Sequence, residues 1–464
     1  MYKAGVRSKQ IHTIFISMIT VVVVAIYAVL FRNYRVNTNI DISWSLSFSY
    51  NYCIKGIDTD ATFGVPFPVG QGGTIAFGKL AAMVQCAALV PFNWSLIAAT
   101  LLSVAGVLLS MTLIFVFVVD QGLSRLDAAA CCLALAATEP FVAMANQPRS
   151  EYLTFLLAVC GLVLAARCQL FPAGLISALA IELQPIGIMA PVYLIAYELS
   201  RMIQTRRFHF EFDRAAKLVL GGILGLAVYF ILHPNILVIL ANGAGWNNGG
   251  RHFLYEYFFE ARLCRHLPEL AVFAVCLMAH IGRRDYVKWP FPLVASLATF
   301  AVGLLLPHAN AYYTPFWYFP SFVLVYLTAN SASRAVVVPL LVFALFVPQY
   351  AIAYVWAHKY ARQDELQVAR SLIAGRGTDL SHAHVYGDFI FWPVFKDLAF
   401  HWAPTAMSKQ LRESDTTYLI CGVDPPFIKE EHVCGDELPA FRNMRLVGQF
   451  SWAARKYLIY ERAE

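Results

Sequence analysis

Long apolar runs separated by short polar segments occupy most of the chain. The apolar runs fall at about 11–31, 95–119, 127–145, 151–168, 171–200, 217–235, 267–281, 289–307, 316–330 and 335–357. A helix that crosses a bilayer needs about 20 mostly apolar residues. The run at 171–200 is too long for one ordinary span and contains Gln184-Pro185, so we expect two short helices that turn near Gln184. The pattern predicts about eleven membrane-spanning helices.

The distribution of Lys and Arg supports this count, because cytoplasmic loops carry an excess of both residues. If the N-terminus is cytoplasmic and 171–200 crosses twice, the following cations lie on the inner side: Arg125, Arg167, Arg201, Arg206, Arg207, Arg214, Lys217, Arg283, Arg284, Lys288 and Arg334. A single crossing at 171–200 would move the later clusters outside. Arg251, Arg262 and Arg265 oppose the rule, because this topology places their loop outside.

The topology divides the chain into a transmembrane domain, 1–357, and a polar tail, 358–464, on the outer face. The transmembrane domain has large outer loops at about 32–94 and 236–266. The tail is predicted to contain one amphipathic helix and four strands: Ala361–Ala374, then His384–Phe391, Thr417–Cys421, Arg445–Phe450 and Lys456–Tyr460. The predicted fold class is an all-α multi-pass membrane bundle with a small extracytoplasmic α/β domain at its C-terminus.

The first outer loop contains two segments with regular patterns. Aromatic and small polar residues alternate over 44–54, and a period of two favours a strand, although an aromatic-rich interfacial helix also fits. The apolar segment Ile75–Val90 is predicted to be a helix that lies on the membrane surface.

The composition agrees with a membrane protein. Hydrophobic residues make up 59% of the chain and charged residues 14%, against about 25% charged in a typical soluble domain. The net charge of +6 comes mainly from the loop cations, so we interpret it as an orientation signal and expect no nucleic-acid partner. The ten cysteines contain no CxxC metal pattern. Cys421 and Cys434 lie in the tail, where a disulfide and two free thiols are both possible.

Candidate chemistry concentrates on the predicted outer side, where ionisable groups near the membrane are costly. Asp41 follows the first span and could act as a general base on an acceptor hydroxyl; alternatively, it caps a helix. Arg149 precedes another span and could bind a lipid phosphate through its planar guanidinium. Alternatively, Arg149 pairs locally with Glu151, or Glu151 simply favours the helix N-terminus.

Four elements, in this order, resemble the GT-C class of membrane glycosyltransferases, which contains protein O-mannosyltransferases and lipid A aminoarabinose transferases. They are Asp41 with an aromatic segment ending at Lys55-Gly56, the proline-flanked stretch from Pro66 through Val119, Arg149-Ser150-Glu151 before a Leu-rich span, and Gln184-Pro185-Ile186-Gly187. The turn from His308 to Tyr313 also resembles a family segment. Ile42 replaces the second acidic residue of the family's first motif, and Gln184 replaces a family His.

The resemblance implies an inverting glycosyltransferase that takes sugar from a polyprenyl-phosphate lipid on the extracytoplasmic face. It implies a helix rather than a strand at 44–54, and outer-face helices along the bundle. Asp41 would be the catalytic base, and the substrate-binding residues would be Arg149, Glu151, Gln184, Lys55, His308, Asn310 and Tyr312. A glycan, lipid or protein would accept the sugar, and no cofactor or obligatory metal is expected. Short inner loops suggest a bacterial inner membrane.

Three other classes remain as alternatives. A transporter or flippase for lipid-linked glycans needs ionisable residues in a mid-membrane cavity, and the sequence offers mainly Glu139 and Glu182. An O-antigen ligase or polymerase usually has its largest loop late in the chain. A non-catalytic scaffold would not need both Asp41 and Arg149.

Overall fold

The computed structural model describes residues 24, 40–56, 78–206, 211–234, 261–305, 314–328, 367–375, 383–387, 389–402, 417–423, 444–452 and 455–462. The helices of the N-terminal part are α1 Ile40–Ile54, α2 Lys79–Leu89, α3 Leu96–Asp120, α4 Arg125–Ala136, α5 Glu139–Asn146, α6 Glu151–Ala166, α7 Leu170–Leu183, α8 Met189–Thr205, α9 Phe212–Leu232, α10 Ala261–Gly282, α11 Pro290–Leu305 and α12 Thr314–Thr328. The period-two prediction of a strand at 44–54 is wrong, because this segment is helical in α1, as the family resemblance implied.

Three helical segments are long and apolar enough to cross a membrane: Leu96–Asp120, Pro185–Thr205 and Phe212–Leu232. A fourth arises if α4 and α5, which meet at a bend of 67°, form one broken span. Several shorter apolar helices, among them α6 and α7, complete the bundle. The protein therefore has helices that can span a membrane, but the described residues do not confirm eleven crossings. The runs at 11–31 and 335–357 lie outside them, apart from the helical residue Val24.

The predicted break at Gln184 is confirmed. Helix α7 ends at Leu183, Gln184 is extended, and a 3-10 turn, Pro185–Ile188, leads into α8. Proline removes a backbone donor and disfavours a helical residue before it, which explains the break. Gly187 is required here, since a Cβ at this position would stand 1.9 Å from the carbonyl oxygen of Ala180.

Aromatic rings fill the centre of the bundle. Phe117 on α3 meets Phe291 on α11 edge-on, with ring centroids 4.9 Å apart. Phe155 on α6 meets Phe316 on α12 in the same way at 5.2 Å. Edge-to-face rings add about 0.5–1.5 kcal/mol per pair beyond their buried area, so these contacts join the central helices firmly.

Helix α9 packs along α7 through small residues. A Cβ at Gly221 would lie 2.0 Å from the carbonyl oxygen of Phe171, and one at Gly225 would lie 2.7 Å from that of Leu175. Glycines four residues apart let two helix backbones approach closely, as is common between membrane helices. The remaining sides of α9 are largely exposed, which suits contact with lipid chains.

The tail forms a mixed five-stranded sheet, as its predicted α/β class required. Its elements are α13 Gln367–Ala374, β1 His384–Gly387, α14 Trp392–Phe395, β2 Ala399–Trp402, β3 Thr417–Val423, β4 Met444–Trp452 and β5 Arg455–Arg462. The strand order is β2-β1-β3-β5-β4, with β1 parallel to both of its neighbours and β5 antiparallel to both of its own. The predicted strand His384–Phe391 is too long, because a 3-10 turn occupies Phe389–Phe391. Strand β2 was not predicted.

The sheet domain packs against the helices that precede α3. The ring of Tyr50 on α1 meets the rings of Trp94 and Trp392 edge-on, at 5.6 and 5.8 Å between centroids. Lys396 donates a hydrogen bond to the backbone carbonyl of Asn93. The domain boundary predicted at 357/358 lies outside the described residues. Cys421 is a buried thiol on β3 that bonds no described cysteine, and Cys434 also lies outside them.

Candidate functional site

A disulfide between Cys53 and Cys86 joins α1 to α2, with 5.8 Å between the two Cα atoms. This bond was not predicted from the sequence. Its signal was available, because these are the two cysteines within the predicted outer loop at 32–94. The bond fixes the relative position of the two helices that link the bundle to the sheet domain.

Glu182, at the end of α7, caps the N-terminus of α2. Its carboxylate accepts hydrogen bonds from the backbone N–H of Lys79 at 2.7 Å and of Leu80 at 3.1 Å. Its carbonyl oxygen accepts another from the N–H of Gly78 at 2.6 Å. The first N–H groups of a helix lack partners within the helix, and the positive end of the helix dipole favours a carboxylate. Glu182 therefore anchors α2 to the bundle.

The side chains of Lys79 and His233 complete the cluster around Glu182. We call these three residues the polar hub. The His233 Nε2 atom lies 2.8 Å from the Glu182 carboxylate. The Lys79 ammonium donates to the carbonyl oxygen of Leu232 at 2.7 Å, at the C-terminus of α9. All three hub side chains are buried. Buried polar and charged groups are costly unless they are hydrogen-bonded, and each of the three hub side chains has a hydrogen-bond partner.

A second buried polar group, the Arg149 cluster, consists of Arg149, Ser150, Glu151 and Gln184. Arg149 and Glu151 form an ion pair at 2.7 Å, so the local pairing considered for these residues is present. The Gln184 amide donates to the Ser150 hydroxyl at 2.7 Å. All four side chains are buried. This geometry joins the start of α6 to the turn that separates α7 from α8.

The polar hub and the Arg149 cluster lie at the same end of the bundle. Glu182 and Gln184 are two residues apart at the end of α7, which connects the groups directly. Ion pairs mark the other end of α7–α9. Arg167 pairs with Asp120 at 3.1 Å between the ends of α6 and α3, and Arg214 pairs with Glu198 at 2.6 Å between α9 and α8. The two ends of the bundle therefore differ in chemistry, since one holds a buried polar site and the other more exposed ion pairs.

The structure brings together three of the predicted substrate residues, Arg149, Glu151 and Gln184. Lys55 is elsewhere: it is exposed, its ammonium lies 5.7 Å from the centroid of the Tyr50 ring, and no described contact joins it to the Arg149 cluster. Partial desolvation lowers the pKa of Lys55, and the Asp397 carboxylate opposes this shift. Lys55 thus belongs to the surface between α1 and the sheet domain.

The side chains of the other predicted site residues lie outside the described part of the structure. The backbone of Asp41 lies in the first turn of α1, but its side chain is among those that are not described. His308, Asn310 and Tyr312 lie outside it entirely. Among the residues that the structure describes, no group of three or more His, Cys, Asp or Glu side chains could hold a metal ion.

The fold and the site define a class of protein in broad terms: a bundle of apolar helices that can cross a membrane, with a buried polar site at one end and a small sheet domain. No protein family, curated protein or solved structure matches the chain. Function must therefore be argued from the buried polar groups themselves.

Proposed function

We propose that the protein is an integral membrane glycosyltransferase that moves a sugar from a polyprenyl phosphate to an acceptor hydroxyl on the extracytoplasmic face. One observation carries the proposal: Gln184 bonds to Ser150, the residue between Arg149 and Glu151, so predicted substrate-binding residues from two separate segments meet in one buried cluster. Polar groups at the end of an apolar bundle are expensive, which makes such a cluster a candidate for function.

The reaction would be a direct displacement at the anomeric carbon. Asp41 takes the proton of the acceptor hydroxyl while the acceptor oxygen bonds to that carbon. The bond from the carbon to the phosphate oxygen breaks, and its electron pair stays on the phosphate. Arg149 stabilises the released phosphate by electrostatic attraction and hydrogen bonds. Attack from the face opposite the phosphate inverts the anomeric configuration.

The Cys53–Cys86 disulfide supports the proposed orientation. Disulfides persist in oxidising compartments and are rare in the cytosol. The bond lies in α1 and α2, which connect to the polar hub through Lys79 and Glu182. The described cations of the predicted inner loops, among them Arg167 and Arg214, lie at the other end of the bundle, as expected of cytoplasmic loops. Both features support an extracytoplasmic site.

A transporter of lipid-linked glycans is the second candidate, because the polar hub contains Glu182 and His233 in direct contact. A buried acid beside a histidine resembles the proton-handling groups of transporters. However, the two backbone N–H groups of α2 bonded to Glu182 already give this carboxylate a structural role. The glycosyltransferase proposal accounts for the Arg149 cluster as well, and we favour it for that reason.

The sharpest test replaces the proposed base. Cells that lack the gene would be complemented with the native protein, with Asp41→Asn, or with Asp60→Asn, a matched change in the same predicted loop. We expect Asp41→Asn to behave like the deletion, with accumulated polyprenyl-phosphate sugar and a lost surface glycan, because removing a general base costs about 10²–10⁴-fold in rate. Lipid extracts and surface glycans would be compared by mass spectrometry.

Asp60→Asn should restore the native profile. Near-native glycan with Asp41→Asn would refute the base assignment. An unchanged lipid-linked sugar pool in the deletion strain would refute the glycosyltransferase itself.

A further inference from the structure

Helix α1 connects the sheet domain to the helices of the bundle. Its residues Leu46 and Tyr50 belong to the same hydrophobic core as Trp392 of the sheet domain. Helix α1 also packs along α2, and the Cys53–Cys86 disulfide joins these two helices covalently. The disulfide is therefore the covalent part of the connection between α1, which carries the sheet domain, and α2.

The attachment of α2 to the bundle does not depend on this bond. The Glu182 carboxylate accepts hydrogen bonds from the backbone N–H groups of Lys79 and Leu80, and the Lys79 ammonium donates to the carbonyl oxygen of Leu232. These contacts lie at the N-terminus of α2, whereas Cys86 lies close to its C-terminus. Breaking the disulfide therefore removes a restraint on α1 but leaves the hydrogen bonds that hold α2.

The disulfide lies where a thiol can reach it, because Cys53 and Cys86 are only partly buried. A dithiol attacks one of the two sulfur atoms as a thiolate, which forms a mixed disulfide and releases the other cysteine as a thiolate. The second thiol of the reagent then displaces the bound cysteine. The dithiol gives up two electrons and two protons and leaves as a cyclic disulfide, and the protein gains two thiols.

We propose that the Cys53–Cys86 disulfide is a redox-controlled clasp: the bond holds α1 in place, and reduction by a dithiol frees α1 while the bundle stays folded. The effect on activity rests on the proposed function, because the first turn of α1 contains Asp41, the proposed base. Asp41 and Cys53 are about 18 Å apart along the helix axis, so a tilt of the freed helix displaces the base. A displacement of about 1 Å can cost about 10²-fold in rate.

Hydrogen exchange of the purified full chain, measured by mass spectrometry before and after treatment with dithiothreitol, tests the clasp without reference to function. The two cysteines are 33 positions apart, and closing a loop of this size disfavours local opening by about 10²-fold or more. Amide exchange in α1 should accelerate by that factor on reduction, while α3 and α6 keep their protection. The Cys53→Ser/Cys86→Ser variant should exchange like the reduced protein with or without the reagent. Cys168→Ser, a change at an exposed free thiol, should respond like the native protein.

Equal exchange of α1 before and after reduction would overturn the clasp. Faster exchange throughout the bundle would overturn it as well, because the bond would then stabilise the whole fold rather than α1.

Transfer kinetics test the link to Asp41. Reduction should lower kcat by about 10²-fold and leave the Kd for polyprenyl phosphate unchanged, because the Arg149 cluster joins α6 to the turn after α7. A general loss of structure would weaken this binding too. An unchanged kcat in protein whose α1 exchanges rapidly would overturn the positioning of Asp41. A native protein without transferase activity would refute the proposed function instead, and the exchange of α1 would still decide whether the clasp exists.

Discussion

At the scale of single residues, Glu182 illustrates how one buried acid can organise a membrane protein. Its carboxylate accepts two backbone hydrogen bonds from α2 and contacts His233, so three helix ends meet at one side chain. A hydrophobic residue of similar size could not satisfy these donors. The hub therefore has a structural role whether or not it takes part in function.

Replacing Glu182 with alanine should destabilise the protein strongly. Two backbone N–H groups and the His233 ring would lose their partner, at about 1–3 kcal/mol for each buried polar group left unsatisfied. We expect a marked fall in the thermal unfolding temperature of the purified protein in detergent, with increased proteolysis near α2. Asp120→Ala is the control, because Asp120 forms a more exposed ion pair with Arg167, worth at most about 1 kcal/mol. Equal effects of the two changes would contradict the assigned role of Glu182.

At the scale of elements, glycine determines how α9 joins the bundle. Gly221 and Gly225 allow the backbone of α9 to touch that of α7. Gly222 is adjacent in sequence but faces open space, since no atom lies within 4 Å of the place of its Cβ. Two neighbouring glycines thus have opposite environments.

This difference gives a matched pair of substitutions. Gly221→Ala should destabilise the α7–α9 contact by about 1–3 kcal/mol, because the new methyl group would overlap the carbonyl oxygen of Phe171. Gly222→Ala should be neutral or stabilising by about 0.5–1 kcal/mol, since alanine favours a helix. Thermal unfolding of both variants in the same detergent would decide, and a Gly221→Ala variant as stable as Gly222→Ala would show that the close packing is wrong.

Other elements show what the sequence can and cannot predict. The break at Gln184 was predictable, because Pro185 interrupts the helix through local chemistry. The contact of Lys79 with Glu182 was not, since it joins residues 103 positions apart, and hydrophobic periodicity carries no information about such pairs. Strand β2 spans only Ala399–Trp402 and depends on pairing with β1, so its local pattern was too short to recognise.

At the scale of the whole molecule, the structure describes a bundle with two unlike ends. One end contains the polar hub, the Arg149 cluster and the disulfide-linked helices that contact the sheet domain. The other end contains more exposed ion pairs, which link α3 to α6 and α8 to α9. If the first end faces outward and the proposed function is correct, a lipid-borne sugar and an acceptor would meet beside the Arg149 cluster, and the sheet domain would lie close to the acceptor.

The most direct measurement for this account is binding of polyprenyl phosphate to the purified protein. We expect Arg149→Gln to weaken binding by about tenfold or more, because a charge-assisted phosphate contact is lost. Asp41→Asn should bind like the native protein, since a base acts on the acceptor. Arg445→Gln, a change in an exposed ion pair of the sheet domain, is the control. Native affinity in the Arg149→Gln variant would contradict the claim that this arginine receives the lipid phosphate.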